Sequence, residues 1–400
     1  MRVLFTTQPG FGHLNPLLPY ATAVRDSGHD VRFASAPAFA EAIEHHGFAF
    51  NAIGPDFTWE QPEAYFPLMA DAARSGRAMD YANFEITWKR WNPEAATDLL
   101  ELFERWRPDV IVREFAENGA TFAGDVAGIP VVCAAWGALP NDGRRWGAVT
   151  DWDRTLDCYA ALCVTFGLAA EGPGGAWERQ LVLSGLPPSW LGDAQRGVRV
   201  RHFRLPLDER SAGPRPGWLD AFGAERPLLY ATLGTVFNRM RRLRAAILEA
   251  LAEIDADVLM TVGRNVDPTT IGPIPANVRV ESFLAQSDVL ARASLVVSHA
   301  GLGTMLGAIY AGVPMVVIAI DADQPINAQS AEEAGHAVAL TLHQADASTL
   351  HDAASRAIVD PVLQQAAVAL RDECNAMDPI AQASKAIEAE GSNPRPKPIR

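Results

Sequence analysis

Residues 297–304 read Val297-Ser298-His299-Ala300-Gly301-Leu302-Gly303-Thr304, a β-branched strand end followed by a glycine-rich turn and the start of an apolar helix. The first turn of a helix exposes backbone N–H groups and the positive end of the helix dipole, so this turn suits a phosphate. About twenty residues later, Asp323 and Gln324 place an acceptor beside a group that both donates and accepts, which matches the hydroxyls of a sugar. The stretch therefore predicts a nucleotide-sugar site.

Length and composition limit the classes of protein to which the chain can belong. A chain of 400 residues is too long to fold around one ordinary hydrophobic core, so we expect two domains. Its content of 48% apolar and 20% charged residues is typical of a globular protein. The net charge of −14 argues against nucleic acid or an anionic membrane as a partner. The opening residues MRVLFTTQPG lack a signal peptide's apolar run, and no segment is long enough to span a bilayer. These features predict a cytoplasmic protein.

The four cysteines, Cys133, Cys158, Cys163 and Cys374, show no C-x-x-C spacing. Cys158 and Cys163 could face each other on a helix, but a reducing cytoplasm favours buried free thiols. We therefore expect no disulfide framework.

Strands and helices alternate in both halves, which is the pattern of parallel sheets with crossover helices. Strands are expected at Arg2–Thr7, Val31–Ala34, Val110–Val112, Val131–Ala134, Leu228–Thr232, Val258–Val262, Val278–Glu281, Leu295–Val297 and Met315–Ile320, and helices at Pro16–Ser27, Ala95–Trp106, Arg242–Ile254 and Thr304–Tyr310. The predicted divisions are an N-terminal domain (1–205), a proline-rich linker (206–227), a C-terminal domain (228–375), a helix packed back on the N-terminal domain (376–390) and a disordered tail (391–400). Two such α/β domains, each doubly wound and Rossmann-like, would face each other across a central cleft.

The N-terminal half is rich in large apolar side chains, and nine of the ten tryptophans lie between Trp59 and Trp190. Ordinary core packing explains any single one of them. As a group they favour an adaptable apolar pocket. The candidates for its lining are Phe57, Trp59, Phe66, Met69, Met79, Phe84 and Trp136.

Residues 10–16, GFGHLNP, follow the first strand and resemble a dinucleotide fingerprint, except that Asn15 replaces the third glycine. This departure disfavours an NAD-dependent oxidoreductase. A histidine at the end of a first strand is better interpreted as a general base, because a neutral imidazole accepts a proton near pH 7. The alternative for His13 is a residue that only caps the turn.

Glu114 ends another predicted strand, and a carboxylate bonded to an imidazole fixes its tautomer and stabilises its charged form. The alternative is a surface pair of Arg113 with Glu114. Gly234 and Thr235 end a further strand in a small-residue turn that offers an N–H group and a hydroxyl to a second phosphate oxygen. The D-x-D spacing of a divalent-metal site occurs at 321–323, but also at 151–153 and 255–257, so we predict no required metal or other cofactor.

Together these residues resemble the GT-B glycosyltransferases that glycosylate small lipophilic acceptors, especially the bacterial enzymes that attach deoxysugars to polyketide antibiotics. The resemblance covers nearly the whole chain and is strongest over residues 278–335, where VRVESFLAQSDVLARASLVVSHAGLGTMLGAIYAGVPMVVIAIDADQPINAQ matches the family's donor signature in order and spacing. It implies that the N-terminal domain binds the acceptor and that residues 228–375 bind the donor.

The resemblance also implies roles for individual residues. His13 falls on the family's catalytic base, and Glu114 falls where most relatives have its paired aspartate. The implied donor-binding residues are Gly234, Thr235, Phe283, His299, Gly301, Gly303, Thr304, Asp323 and Gln324. Phe283 stands where many relatives have a tryptophan that stacks on the base, and Ala285 replaces a proline of the same segment.

The function implied is inverting transfer of a sugar, with a deoxysugar carried by dTDP favoured over UDP-glucose, to a hydroxyl of a lipophilic aglycone. A sugar-nucleotide epimerase on the same fold is one alternative, which the aromatic N-terminal half argues against. A non-catalytic auxiliary protein is another, which the presence of both His13 and His299 argues against. The sequence leaves open a homodimer, the identity of the sugar and the acceptor, and an N- or C-linkage.

Overall fold

The computed structural model describes residues 1–75, 77–135, 137, 139, 150–169, 175–206, 215–234, 240–264 and 266–393. Over these residues the chain forms two compact α/β units, each built around a parallel sheet. The first unit comprises Met1–Gly185, Leu191–Leu205 and the chain from Asp378 onward, and the second comprises Leu186–Trp190 and Pro206–Met377. The predicted fold class, α/β with doubly wound domains, is confirmed.

The strands are short and mostly buried. In chain order they are β1 (Arg2–Thr6), β2 (Asp30–Ser35), β3 (Ala49–Ala52), β4 (Val110–Glu114), β5 (Val131–Ala135), β6 (Leu181–Ser184), β7 (Arg199–Arg204), β8 (Leu228–Thr232), β9 (Asp257–Thr261), β10 (Val278–Glu281), β11 (Ala293–Ser298), β12 (Met315–Ala319), β13 (Ala337–Thr341) and β14 (Asp378–Pro379). The sequence did not predict β3, β6, β7, β13 or β14. Of these, β7 contains three arginines in its six residues, and β14 has only two residues.

Each sheet reverses its strand order once. The first sheet runs β14-β7-β6-β5-β4-β1-β2-β3, and the second runs β10-β9-β8-β11-β12-β13. All neighbouring strands are parallel. The order reverses between β1 and β4 in the first sheet and between β8 and β11 in the second. In open parallel sheets, ligands bind beyond the carboxyl ends of the strands at such a reversal.

Helices connect the strands. They are α1 (Phe11–Leu14), α2 (Leu18–Asp26), α3 (Ala40–Glu44), α4 (Leu68–Arg74), α5 (Ala78–Asp80), a π-helix (Tyr81–Trp91), α6 (Asn92–Arg105), α7 (Gly119–Ala127), α8 (Trp152–Thr165), α9 (Gly175–Arg179), α10 (Pro188–Leu191), α11 (Arg241–Ala252), α12 (Gln286–Leu290), α13 (Leu302–Ala311), α14 (Gln324–Glu333), α15 (Ala347–Val359), α16 (Pro361–Asn375) and α17 (Ala383–Gly391), with short 3₁₀ segments between them. Within the described ranges, none of these helices has the length and apolar character needed to cross a membrane.

The first sheet is covered on both faces, as its sequence pattern requires. Leu4 of β1 packs in one apolar cluster, whereas its neighbours Val3 and Phe5 pack in another, because successive strand residues point to opposite faces. Ala386 and Ile387 of α17 lie in the same cluster as Val3 and Phe5. All four cysteines are free thiols, and three of them are buried as expected, whereas Cys158 is half-buried.

The N-terminal part of the first unit ends at Leu205, where the sequence predicts the end of the N-terminal domain, but one short segment before it departs from the predicted division. Leu186–Trp190 belongs to the second unit, where the Trp190 ring lies 5.6 Å from the His336 ring, centroid to centroid. The backbone N–H of Ser189 donates to the Glu373 carboxylate at 2.9 Å. Of the predicted linker, 207–214 lies outside the described residues, as does 394–400 of the predicted tail, while α17 continues to Gly391.

Candidate functional site

The first candidate site lies where the order of the first sheet reverses, beyond β1 and β4. Glu114 is the last residue of β4, and His13 lies in α1, the short helix that follows β1. The structure brings these two predicted residues together, with His13 Nδ1 3.1 Å from Glu114 Oε1. The Glu114 side chain is buried, whereas the His13 side chain is 20% exposed. A histidine bonded in this way is more than a turn cap.

The chemistry of the pair assigns the imidazole tautomer. An ionised carboxylate can only accept hydrogen bonds, so Nδ1 carries the hydrogen and Nε2 carries the lone pair. The alternative surface pair of Arg113 with Glu114 is not found. Arg113 is fully buried, and its guanidinium donates to the carbonyls of Glu114 and Phe115 at 3.1 and 2.7 Å.

Backbone groups hold the Glu114 carboxylate in place. It accepts hydrogen bonds from the backbone N–H groups of Gln8 at 3.3 Å and Ala116 at 2.5 Å. A second buried carboxyl, Glu117, accepts from the Thr6 hydroxyl at 2.6 Å and from the Ala120 backbone N–H at the start of α7. Burial raises the pKa of Glu117 to about 7, against the lowering effect of its hydrogen bond with Thr6. Glu117 is not among the predicted site residues, although it lies just before the start of a helix, which was a visible signal.

The predicted acceptor residues fall into two groups. Trp59 lies beside His13, because a Cβ on Gly10 would lie 3.2 Å from both side chains, and its indole N–H donates to the Gln8 side chain at 2.8 Å. Phe66, Met69 and Met79 are also partly exposed. Phe57 and Phe84, in contrast, are fully buried core residues with no surface for a ligand. Trp136 lies outside the described residues.

The second candidate site lies where the other sheet reverses, beyond β8 and β11. His299 directly follows β11, and Gly234 follows β8 by two residues. A Cβ at Gly234 would lie 2.6 Å from His299 Cε1, and one at Gly301 would lie 2.4 Å from Nε2. Both distances are below any real contact, so these positions need glycine to admit the imidazole. Thr235, the other residue predicted in this turn, lies outside the described residues.

His299 is a neutral side chain at physiological pH. Burial lowers its pKa to about 4, and a hydrogen bond with the Thr232 backbone offsets this only in part. A neutral imidazole has one N–H to donate and one nitrogen that accepts.

The helix that follows His299 begins without a side-chain cap. Gly301 is the N-cap of α13, and Met305 is the first residue whose N–H bonds back to it, at 3.1 Å. A Cβ at Gly303 would meet nothing within 4 Å, so the space beside this turn is open. Thr304 is buried, and its hydroxyl accepts from the Gln286 amide at 3.1 Å. Because a hydroxyl that accepts one bond still has its own hydrogen to donate, Thr304 can offer an anion both its O–H and its backbone N–H.

The predicted sugar-binding pair already makes internal hydrogen bonds. The Gln324 side-chain oxygen accepts from the backbone N–H groups of Ile320 at 2.9 Å and Asp321 at 3.2 Å, which leaves its NH₂ as the group for a hydroxyl. Asp323 Oδ2 accepts from Asn327 Nδ2 at 2.7 Å. Asp321 Oδ1 accepts from the next backbone N–H, of Ala322, at 2.8 Å. Asn327 is not among the predicted site residues, and its spacing of four residues from Asp323 was the available signal.

Phe283 lies beside a cation. The Arg264 guanidinium carbon stands 3.9 Å from the centroid of the Phe283 ring, within the range of a cation–π contact. One face of the ring is therefore covered, and a stacked base would have to use the other face or stack on the guanidinium.

The N-terminal domain model of the family described as erythromycin biosynthesis protein CIII-like matches residues 22–154, and the C-terminal domain model of the same family matches residues 245–388. The two matches together cover more than half of the chain.

Curated relatives are similar over nearly the full length. The chain is 29% identical to 4'-demethylrebeccamycin synthase from Lentzea aerocolonigenes, over 97% of this chain and 99% of that protein. It is 28% identical to TDP-daunosamine transferase DnrS from Streptomyces peucetius, over 93% of each. Among solved structures, the glycosyltransferase SnogD from Streptomyces nogalater matches with a TM-score of 0.68 and 26% identity, over 98% of this chain and 99% of that one.

Proposed function

Because the chain belongs to the erythromycin biosynthesis protein CIII-like family and is a glycosyltransferase, we propose that it transfers a deoxysugar from a dTDP-sugar to a hydroxyl of a lipophilic, polyketide-type aglycone. A dTDP-linked donor is supported by the relative named as a TDP-daunosamine transferase. The observation that carries the proposal is the presence of two complementary sites at the sheet reversals, a His–Glu pair in one unit and a capless helix start beside a neutral histidine in the other.

The acceptor half of the reaction belongs to His13. Its Nε2 removes the proton from the acceptor hydroxyl as the oxygen attacks the anomeric carbon. The Glu114 carboxylate, 3.1 Å from Nδ1, stabilises the imidazolium that forms and keeps the ring oriented. Attack from the side opposite the nucleotide breaks the sugar–phosphate bond and inverts the anomeric centre.

The donor half belongs to the turn between β11 and α13. The backbone N–H groups of Leu302, Gly303 and Thr304 and the dipole of α13 stabilise the negative charge that grows on the departing diphosphate. The neutral imidazole of His299 packs against Gly301 of the same turn without adding a charge. This set of donors replaces a divalent cation, so transfer should persist in EDTA.

A lipophilic acceptor is supported by the surface of the first unit. Phe11, on the same short helix as His13, is 49% exposed, and Tyr65 and Leu68 are exposed by 43% and 61%. In this proposal these side chains contribute apolar surface to the acceptor site. Trp59, beside His13, adds a ring that stacks on a flat aglycone.

The direct test combines a donor panel with an acceptor panel. The protein is incubated with dTDP- and UDP-sugars and with polyketide aglycones, and products are identified by mass spectrometry and by NMR of the anomeric centre. Binding of dTDP and UDP is measured separately by calorimetry. An inverted glycoside from a dTDP-sugar is expected. A protein that binds neither nucleotide would contradict the proposal, and an isomerised sugar nucleotide formed without aglycone would favour the epimerase alternative.

A further inference from the structure

Asn327 is a polar side chain in a fully buried position of the second unit. It lies in the first turn and a half of α14, with 0% of its surface exposed, and neighbouring Ile326 and Ala328 are buried as well. Burying an amide is costly unless its hydrogen bonds are made within the protein. The bonds that Asn327 makes therefore indicate what it does.

Its two amide hydrogens go to two different loops. Asn327 Nδ2 donates to the Ala300 carbonyl oxygen at 3.0 Å and to Asp323 Oδ2 at 2.7 Å. Ala300 belongs to the turn between β11 and α13, and Asp323 to the loop between β12 and α14. A single side chain thus joins the turn assigned to the diphosphate with the carboxylate assigned to the sugar.

Both loops contain a backbone conformation that needs support. Ala300 has a φ of 60° and Ala322, next to Asp323, has a φ of 59°. The left-handed region costs a residue with a Cβ about 1 kcal/mol or more, so it persists where the surroundings impose it. The hydrogen bond from Asn327 to the Ala300 carbonyl is one such restraint.

The Asp323 carboxylate is held by the side chain of Asn327 rather than by a capping bond from the backbone of α14. An aspartate at an N-cap normally accepts from the second or third backbone N–H of the helix. Asp323 is the N-cap of α14 but makes no cap bond, and Pro325 at the second position has no N–H to give. The carboxylate turns instead toward the Asn327 amide.

We propose that Asn327 is a positioning residue for the donor. It fixes the Asp323 carboxylate relative to the turn between β11 and α13, so that one donor molecule can place its sugar at Asp323 and its diphosphate at the turn. This inference rests on the proposed function. Asn327 contacts neither the sugar nor the phosphate in this role, and acts through Asp323 and Ala300.

The test uses the full-length protein with Asn327→Ala, Asn327→Asp and a matched control, Ser330→Ala. Ser330 lies on the same helix and is 1% exposed, but has no part in the proposed site. Calorimetry measures the affinity for dTDP and for dTDP-glucose, and thermal melting checks the fold. Asn327→Asp keeps the size of the side chain, so it remains informative where Asn327→Ala does not fold.

Both Asn327 variants lose the hydrogen bond to the Asp323 carboxylate. Their affinity for dTDP-glucose should therefore fall by roughly tenfold more than their affinity for dTDP. Ser330→Ala should change neither affinity. In an Asp323→Ala background, Asn327→Ala should bring no further selective loss of dTDP-glucose. The inference would be overturned by equal losses of affinity for dTDP and dTDP-glucose. It would also be overturned if Asn327→Ala still weakened dTDP-glucose selectively in the Asp323→Ala background. Absence of dTDP binding by the unmutated protein would instead overturn the proposed function.

Discussion

His13 of the first unit and His299 of the second lie at the same kind of place, beyond the carboxyl ends of the strands where sheet order reverses. Their surroundings differ. His13 is partly exposed and has a buried carboxylate on Nδ1, whereas His299 is buried between two glycines and its pKa is lowered to about 4. The first environment favours taking up a proton, and the second favours staying neutral. Topology places both histidines, and the neighbouring side chains decide what each can do.

Removing the base should produce the largest effect. For His13→Ala we expect kcat to fall by roughly 10²–10⁴-fold, because general-base catalysis supplies that much, while dTDP affinity changes little. Initial rates at saturating donor, together with calorimetry, measure both quantities. Transfer at a near-normal rate to an ordinary hydroxyl would show that His13 is not the base. The two histidines would then not differ in the role proposed for them.

Changing the partner of the base should cost less. Glu114→Gln keeps the shape of the side chain but can present an NH₂ to Nδ1, which favours the opposite tautomer and leaves no charge to stabilise the imidazolium. We expect kcat to fall on the order of 10²-fold with dTDP binding intact. Asp125→Asn is a suitable control, because its carboxylate pairs with Arg179 on α9, away from the dyad. Equal activity of Glu114→Gln and the unmutated protein would reduce Glu114 to a structural residue.

The sequence was informative where function depends on backbone position. Glu114 ends a strand, and His13 and His299 come after strands, so the alternation of strands and helices was sufficient to place all three at the carboxyl edges of the sheets. It was less informative about side-chain burial. Aromatic composition alone could not separate Phe57, which is a core residue, from Trp59, which lies beside His13, because both are large and apolar.

Residues that act through a three-dimensional contact were not predictable. Glu117 matters because it meets Thr6 of β1, which lies more than one hundred residues away in the chain. Asn327 matters because of the Ala300 carbonyl, and Gln324 proved to hold its own loop through its side-chain oxygen. No local pattern encodes these pairings, since they depend on how the loops beyond the strands meet.

Glycine substitutions should separate the two histidine sites by how tightly each is packed. A Cβ at Gly301 would lie 2.4 Å from the His299 ring, whereas one at Gly10 would lie 3.2 Å from the His13 ring. Gly301→Ala must therefore displace His299, and we expect dTDP affinity to fall by about tenfold or more, or roughly 1.4 kcal/mol. Gly10→Ala requires only a shift of a few tenths of an ångström and should leave dTDP affinity unchanged. Equal dTDP affinities for both variants would contradict the role of His299.

The smallest expected effect is a difference in how stability depends on pH. In the first unit, burial raises the pKa of Glu117 from 4.5 to about 7. The folded state therefore binds more protons than the unfolded state between these values, and this carboxyl lowers the free energy of unfolding as the pH rises through that window. His299 and His336 act in the opposite direction in the second unit, because burial lowers the pKa of each from 6.5 to about 4, and their contribution is lost as the pH falls.

Glu117→Gln removes the contribution of the Glu117 carboxyl to the pH dependence of stability. The variant changes the hydrogen bonds with Thr6 and Ala120 at every pH, so the informative quantity is how the difference in Tm between the variant and the unmutated protein changes from pH 5 to pH 8. As the pH rises, the Tm of the variant should increase relative to that of the unmutated protein. The expected increase is roughly 2–4 °C for each kcal/mol by which ionisation of Glu117 destabilises the unmutated protein. The exposed Glu101→Gln on α6 should show no such trend. A pH-independent difference for Glu117→Gln would mean that this carboxyl stays ionised, and that the two units do not respond to pH in opposite directions.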